Sequence, residues 1–185
     1  MSAATPPDTG TTTAWKIDSV HSNAQFKVRH MMISNVKGEF GGITGTLKLD
    51  KDLSKSSVEA SINASTLNTG DAQRDGHLKG ADFFNVEQFP TLSFRSTRIT
   101  KREEGAVTVT GDLTVRGVSV STTFDVEGPT APIKDPWGNI RIGLSATTKI
   151  NRKDFGLNWN TALETGGFVV GDDVTITLDV EFIKT

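Results

Sequence analysis

The chain has 185 residues, a length that suits one domain with a sizeable core. Its 20 basic and 22 acidic residues leave a net charge of -2, and nothing in that balance calls for nucleic acid or an anionic membrane surface. There is no cysteine, which excludes disulfides, thiolate catalysis and cysteine-based zinc sites.

The opening MSAATPPDTGTTTA has neither the basic nor the apolar region of a secretory signal. Residues 1–13 read as a disordered tail ahead of a single domain at 14–185, and the expected location is cytoplasmic. No later stretch approaches the ~18 apolar residues of a membrane helix.

From Trp15 onward the dominant period is two. AWKID is a short strand. NAQFKVRH follows, with Ala24, Phe26, Val28 and His30 on one side. VKGEFGGITGTLKLD reads as a long strand interrupted at Gly41-Gly42 and Gly45, glycines that mark bulges or bends. SSVEASINA alternates Val58, Ala60, Ile62 and Ala64.

The one good helical segment comes next, around residues 69–79. Asp71 can cap its start, accepting from a free backbone N–H and complementing the dipole. Arg74 and His77 share a face at i, i+3. Asp75 and Lys79 have the spacing of a surface pair, and Gly80 supplies a stop. Phe83 and Phe84 then offer apolar mass to plug a barrel end.

TLSFRSTRIT resumes the strands with Leu92, Phe94 and Ser96. Val107, Val109, Gly111, Leu113 and Val115 share a face in the following strand. After Arg116-Gly117 the alternation continues through Val118, Val120, Thr122, Phe124 and Val126, which predicts a tight β-hairpin. NIRIGLSATTKI and DDVTITLDVEFIKT repeat the pattern. Eight or nine strands with one polar face imply an antiparallel sheet that must close up or form a sandwich, and long strands joined mostly by short turns favour an up-and-down barrel. The fold class is all-β, an antiparallel barrel with one short helix.

Motifs for chemistry are sparse. His21 and His30 are nine apart, and there is no HExxH, so no metal site is expected. No GxSxG elbow or phosphate-binding glycine loop is present, and no cofactor is expected. Asn63-Ala64-Ser65 is a formal glycosylation sequon of little weight by itself. Local rules account for the charged residues of RDGHLKGADFF without leaving a nucleophile over.

Ordered pieces of the chain resemble the YceI-like family of polyisoprenoid-binding proteins. Trp15-Lys16-Ile17-Asp18 with His21-Ser22 is similar to its W-x-I-D-x-x-H-S opening. Phe26-Lys27-Val28-Arg29-His30 and Gly38-Glu39-Phe40 are similar to its F-x-V-x-H and G-x-F segments. Ser65 to Gly70, with one position more between Ser65 and Thr69, resembles S-x-x-T-G, and Arg74-Asp75-Gly76-His77-Leu78 resembles R-D-x-H-L. Asp82-Phe83-Phe84, Phe89-Pro90 and Phe94-Arg95-Ser96 follow in order. Arg152-Lys153-Asp154-Phe155-Gly156-Leu157-Asn158-Trp159 resembles R-x-D-F-G-L-x-W. The resemblance implies an extended, lipocalin-like barrel of eight antiparallel strands with a long apolar pocket for an isoprenoid or similar amphiphile. It also implies the homodimers seen in the family. Many of that family's members carry a leader and are periplasmic, and this chain departs from them there.

The residues themselves allow either a filled core or a channel, because eight strands enclose room for side chains or for one small ligand. The resemblance favours the channel. Its candidate lining is Phe26, Val28, Phe40, Phe94, Phe124, Phe155 and Trp159, with Phe83 and Phe84 as blind end or lid. Donors for a polar head group at the mouth would be His30, Arg74, His77, Arg152 and Lys153. Met31 and Met32 would suit an adaptable entrance or an ordinary core. The leading expectation is a non-enzymatic carrier of a long-chain lipid. The rivals are a filled-barrel structural or stress-related interaction module, and an enzyme using His30 or His77 as base with Asp75 or Asp154 in support.

Overall fold

The structure, a computed structural model, describes residues 12–102 and 105–185. Its strands are β1 (Thr13–Ile17), β2 (Asn23–His30), β3 (Ser34–Phe40), β4 (Thr44–Leu49) and β5 (Ser57–Asn63). Helix α1 (Ala72–Lys79) comes before β6 (Thr91–Lys101), β7 (Val107–Val115) and β8 (Val118–Glu127). The two-residue β9 (Ile133–Lys134), then β10 (Ile140–Asn151) and β11 (Val170–Lys184), complete the order. Residues 1–11 of the expected tail lie outside the described residues. Thr13 is already paired with Leu49 across β1 and β4.

The β7–β8 hairpin forms as the alternation predicts. Val115 faces Val118, and Arg116 and Gly117 turn the chain at φ 51° and 71°. Both central residues are left-handed, the geometry that matches the twist of the flanking strands. Arg116 is held in this disfavoured region by its guanidinium, which donates to Phe83 O at 2.6 Å.

Closure depends on the length of β11. One edge pairs with β10 from Arg141–Ile183 to Asn151–Asp173. The other edge is shared: Phe182 to Lys184 pair with β1, while Val170 to Asp179 pair with β2. The ring β1-β4-β5-β6-β7-β8-β10-β11 is therefore a closed, eight-stranded antiparallel barrel. The β2–β3 hairpin extends the wall along the remainder of β11. Its outer edge is tied by a Glu39–Asn68 bridge to the segment before α1.

The stretch expected as one glycine-interrupted strand is two strands in different places. β3 pairs with β2, and β4 pairs with β1 and β5. Gly42, at φ 64°, turns the chain between them. A sequence period cannot reveal this change of neighbour, because both strands keep the same apolar alternation.

Helix α1 starts as expected. Asp71 accepts from Arg74 N at 2.8 Å, and Gly80 is the C-cap, donating from its N–H to His77 O. The expected Asp75–Lys79 pair does not form. Asp75 instead accepts from Thr69 N and Thr69 Oγ1, at 2.9 and 2.5 Å. A turn leading into a helix has backbone donors to satisfy, and Asp75 serves one of them. With only Leu78 reaching the core, α1 covers the barrel end where β5 stops and β6 begins. No helix among the described residues is long and apolar enough to cross a membrane.

Candidate functional site

Alternation along eight strands sends one side of each strand into the barrel, and those side chains leave a cavity of about 270 Å³. It runs lengthwise. Leu49, Leu53 and Pro129 border one end, and Leu78, Phe84 and Phe155 the other. Its wall is almost wholly carbon. The volume lies at the small end of the ~300–1,000 Å³ usual for ligand pockets.

Aromatic rings set its shape. Phe94 meets Phe124 edge-on at 5.2 Å between centroids, and Phe40 meets Phe84 edge-on at 5.6 Å. Gly111, on β7, makes room for the first pair. A Cβ there would come within 2.6 Å of the Phe94 ring and 2.3 Å of Arg95 O. The absence of a side chain at Gly111 is what lets Phe94 lie across the interior.

Of the expected lining, Phe26, Val28, Phe40, Phe83, Phe84, Phe94, Phe124 and Phe155 border the cavity. Trp159 does not. The short 3₁₀ turn Arg152–Phe155 sends Phe155 inward, and Gly156 at φ 79° then redirects the chain. Trp159 packs instead against His77 and Phe83, with centroids 4.8 and 5.4 Å away.

Of the five expected polar residues, Arg152 borders the cavity and His30, Arg74, His77 and Lys153 do not. Arg152 is buried and donates to the carbonyls of Gly171 (2.8 Å), Leu157 (2.6 Å) and Trp159 (2.9 Å). Burial pushes its guanidinium pKa down from the ordinary value, while the charge of Asp172 opposes that shift. It ties the 3₁₀ turn to the start of β11, with its hydrogen bonds spent on main chain and Nη2 3.7 Å from Asp172 Oδ1. Lys153 is exposed and pairs with Asp172 at 3.2 Å. Arg74 donates to Thr69 Oγ1 and Thr69 O, both at 2.8 Å. His77 Nε2 lies 2.9 Å from Asp82 Oδ2 on the surface. His30 ends β2, half-buried, opposite Ser34 and Val170. The acid–base pairs of the enzyme reading do not assemble. Asp75 is engaged by Thr69, and His77 turns to Asp82.

The residues that sequence reasoning missed lie at the opposite end of the barrel. Arg141 donates to Asp18 (2.6 Å), Asp135 (2.7 Å) and Glu181 (2.5 Å). Hydrogen bonds from Arg141, then from His21, hold the Asp18 carboxyl well below the ordinary carboxylate range. Burial acts to raise Asp135, but bonds from Arg141 and Asn139 outweigh it and lower that group too. The W-x-I-D-x-x-H-S signature marks Asp18 and His21, but nothing local pointed to Arg141, 123 positions away. Ligand atoms of Asp18, His21 and Glu181 lie within 4.8 Å of one another, as a metal would need. The Arg141 guanidinium already bridges the Asp18 and Glu181 carboxylates, and its positive charge opposes a cation between them.

Comparison with known proteins agrees with this geometry. The family profile of the YceI-like domain matches residues 15–182. A UPF0312 protein of Staphylococcus aureus is 37% identical over 172 residues, 92% of this chain and 97% of the relative. The crystal structure of the Campylobacter jejuni YCEI protein superposes with a TM-score of 0.70 at 30% identity, covering 86% of this chain and 91% of that one. Burkholderia cenocepacia BcnA shares the fold at a TM-score of 0.73 and 21% identity, over 89% and 98% of the two chains. So does a polyisoprenoid binding domain from Saccharophagus degradans, at 0.67 and 16%, over 94% and 99%.

Proposed function

The chain belongs to the YceI-like family, and from that premise we propose that it is a non-enzymatic binding protein for a polyisoprenoid or similar long-chain amphiphile. The observation that carries this reading is the lengthwise, carbon-lined cavity. Such a space offers an extended chain continuous apolar contact and offers a compact polar substrate almost nothing to bond. Each CH₂-sized group withdrawn from water contributes roughly 0.8 kcal/mol, so a few isoprene units give firm binding with no catalytic group. Phe26, Phe40, Phe94, Phe124 and Phe155 form the principal walls, and Phe83 and Phe84 the closure beside α1. The description of the Saccharophagus degradans domain as polyisoprenoid-binding supports the choice of ligand class.

The small volume favours one rival, a filled barrel acting as an interaction module. Native mass spectrometry followed by solvent extraction separates the two. A stoichiometric long-chain species released by solvent is the expected result. An empty protein that also refuses added prenyl phosphates, quinones and fatty amides overturns the binding reading.

A further inference from the structure

At the barrel end covered by α1, the β2–β3 turn meets the loop leading into β11. Met31 N donates to Val169 O at 2.7 Å, and Met32 Sδ lies within 2.0 Å of where a Cβ at Gly167 would stand. This sets Met31, Met32 and Ile33 beside Phe168. Their exposures are 42%, 59%, 77% and 57%. Met31 and Met32 both sit at positive φ, 50° and 64°, where glycine or asparagine would be the easy choice. Packing does not explain large apolar side chains that are strained and wet.

The shaft below this tip is basic. Residues 23–38 include Lys27, Arg29 and Lys37 and not one carboxylate. Lys27 and Lys37 are directly opposite on neighbouring strands, an unfavourable like-charge pairing. Neither has an ion-pair partner among the described residues. Arg29 donates to Met32 O at 3.1 Å, at the root of the turn. Three strand residues separate Lys27 from the end of β2, about 10 Å, so its field reaches the tip at low salt and is largely screened there at physiological salt. The acids beside these cations are Glu39, beyond Lys37 on the same face, Glu164 in the adjoining loop, Asp172, which Arg152 and Lys153 already engage, and Asp173, which Lys149 engages. The overall charge of -2 conceals this local segregation.

We infer that the β2–β3 hairpin docks on an anionic lipid bilayer. Met32, Ile33 and Phe168 enter the boundary between head groups and acyl chains, and Lys27, Arg29 and Lys37 lie against lipid phosphates. The inference rests on the proposed binding function and extends it. Seating this barrel end on the bilayer would bring the closure beside α1, Phe83 and Phe84, up to the source of a long apolar chain. A second copy of the chain fits less well, because a two-fold contact through this hairpin sets the same three cations against each other.

The test is co-sedimentation of the full chain with vesicles of phosphatidylcholine alone and of phosphatidylcholine mixed equally with phosphatidylglycerol. Uptake of a fluorescent prenyl probe diluted from ethanol is measured in parallel. The expected result is binding to the anionic vesicles that weakens as salt rises. Ile33→Asp and Phe168→Ser each weaken it at least tenfold, and Lys27→Glu with Lys37→Glu removes the preference for anionic lipid. All variants keep probe uptake and melting temperature. Failure of the unaltered chain to sediment with anionic vesicles overturns the inference. So does an Ile33→Asp variant that sediments normally, or one that changes oligomeric state while vesicle binding persists. Vesicle binding with no probe uptake supports the docking surface and overturns the barrel's proposed function instead.

Discussion

The Phe94 ring stands edge-on to that of Phe124, 5.2 Å between centroids, and both border the same apolar cavity. Phe94 comes from β6 and Phe124 from β8, so the pair spans β7, where Gly111 leaves them room. Phe124→Ala should cost about 3–5 kcal/mol in urea unfolding, since the ring is large and buried. Phe94→Glu should abolish uptake of a prenyl probe while circular dichroism shows the barrel intact, because a carboxylate in a carbon-lined space has no partner. Unchanged uptake by a folded Phe94→Glu variant would place the ligand elsewhere.

Arg152 and Lys153 are adjacent in sequence and opposite in circumstance. Removing Arg152 as Arg152→Met leaves the carbonyls of Leu157, Trp159 and Gly171 short of a donor. At about 1–3 kcal/mol for each group left buried and unsatisfied, the loss should be at least ~2 kcal/mol. Lys153→Ala should stay within about 0.5 kcal/mol, as its pair with Asp172 is exposed. Denaturant midpoints of the two variants check this contrast.

Asp75 and Lys79 provide a second contrast. Asp75→Ala removes the acceptor for both the N–H and the hydroxyl of Thr69, and hydrogen bonds to a charged group are worth about 1.5–3 kcal/mol. Lys79→Ala should leave the melting temperature nearly unchanged. Equal effects from the two substitutions would restore the i, i+4 pair that the spacing predicts.

The Arg141 cluster makes stability depend on acid. The Asp18 carboxyl is held below its ordinary value in the folded chain, by Arg141 first and His21 second. A group lowered on folding adds stability above its unfolded pKa and loses it as pH falls through the folded one. Stability should therefore drop below about pH 4, where carboxylates of the unfolded chain begin to take up protons. Arg141→Met should lower stability at pH 7 and flatten the decline between about pH 4 and 2. Thermal unfolding across that range is the measurement.

Period-two alternation by itself determined that this chain forms antiparallel strands with one inward face, because inward and outward positions differ in chemistry at every other residue, and the short connections favoured a barrel over a sandwich. It also identified the β7–β8 hairpin at Arg116-Gly117 and the cap at Asp71, where a few adjacent residues meet a local backbone demand. The inward phenylalanines of the strands were legible for the same reason. Tertiary structure alone decided the rest. β3 and β4 look continuous but take different neighbours, since a strand's pattern names its face and not its partner. Arg152 reads as a free cation at a strand end until the carbonyls of Leu157, Trp159 and Gly171 fold around it. Asp18 and Arg141 meet only when β10, β11 and the turn after β1 close one end of the barrel. Whether the interior fills or stays open depends on volumes summed over the whole ring of strands, and no segment carries that sum.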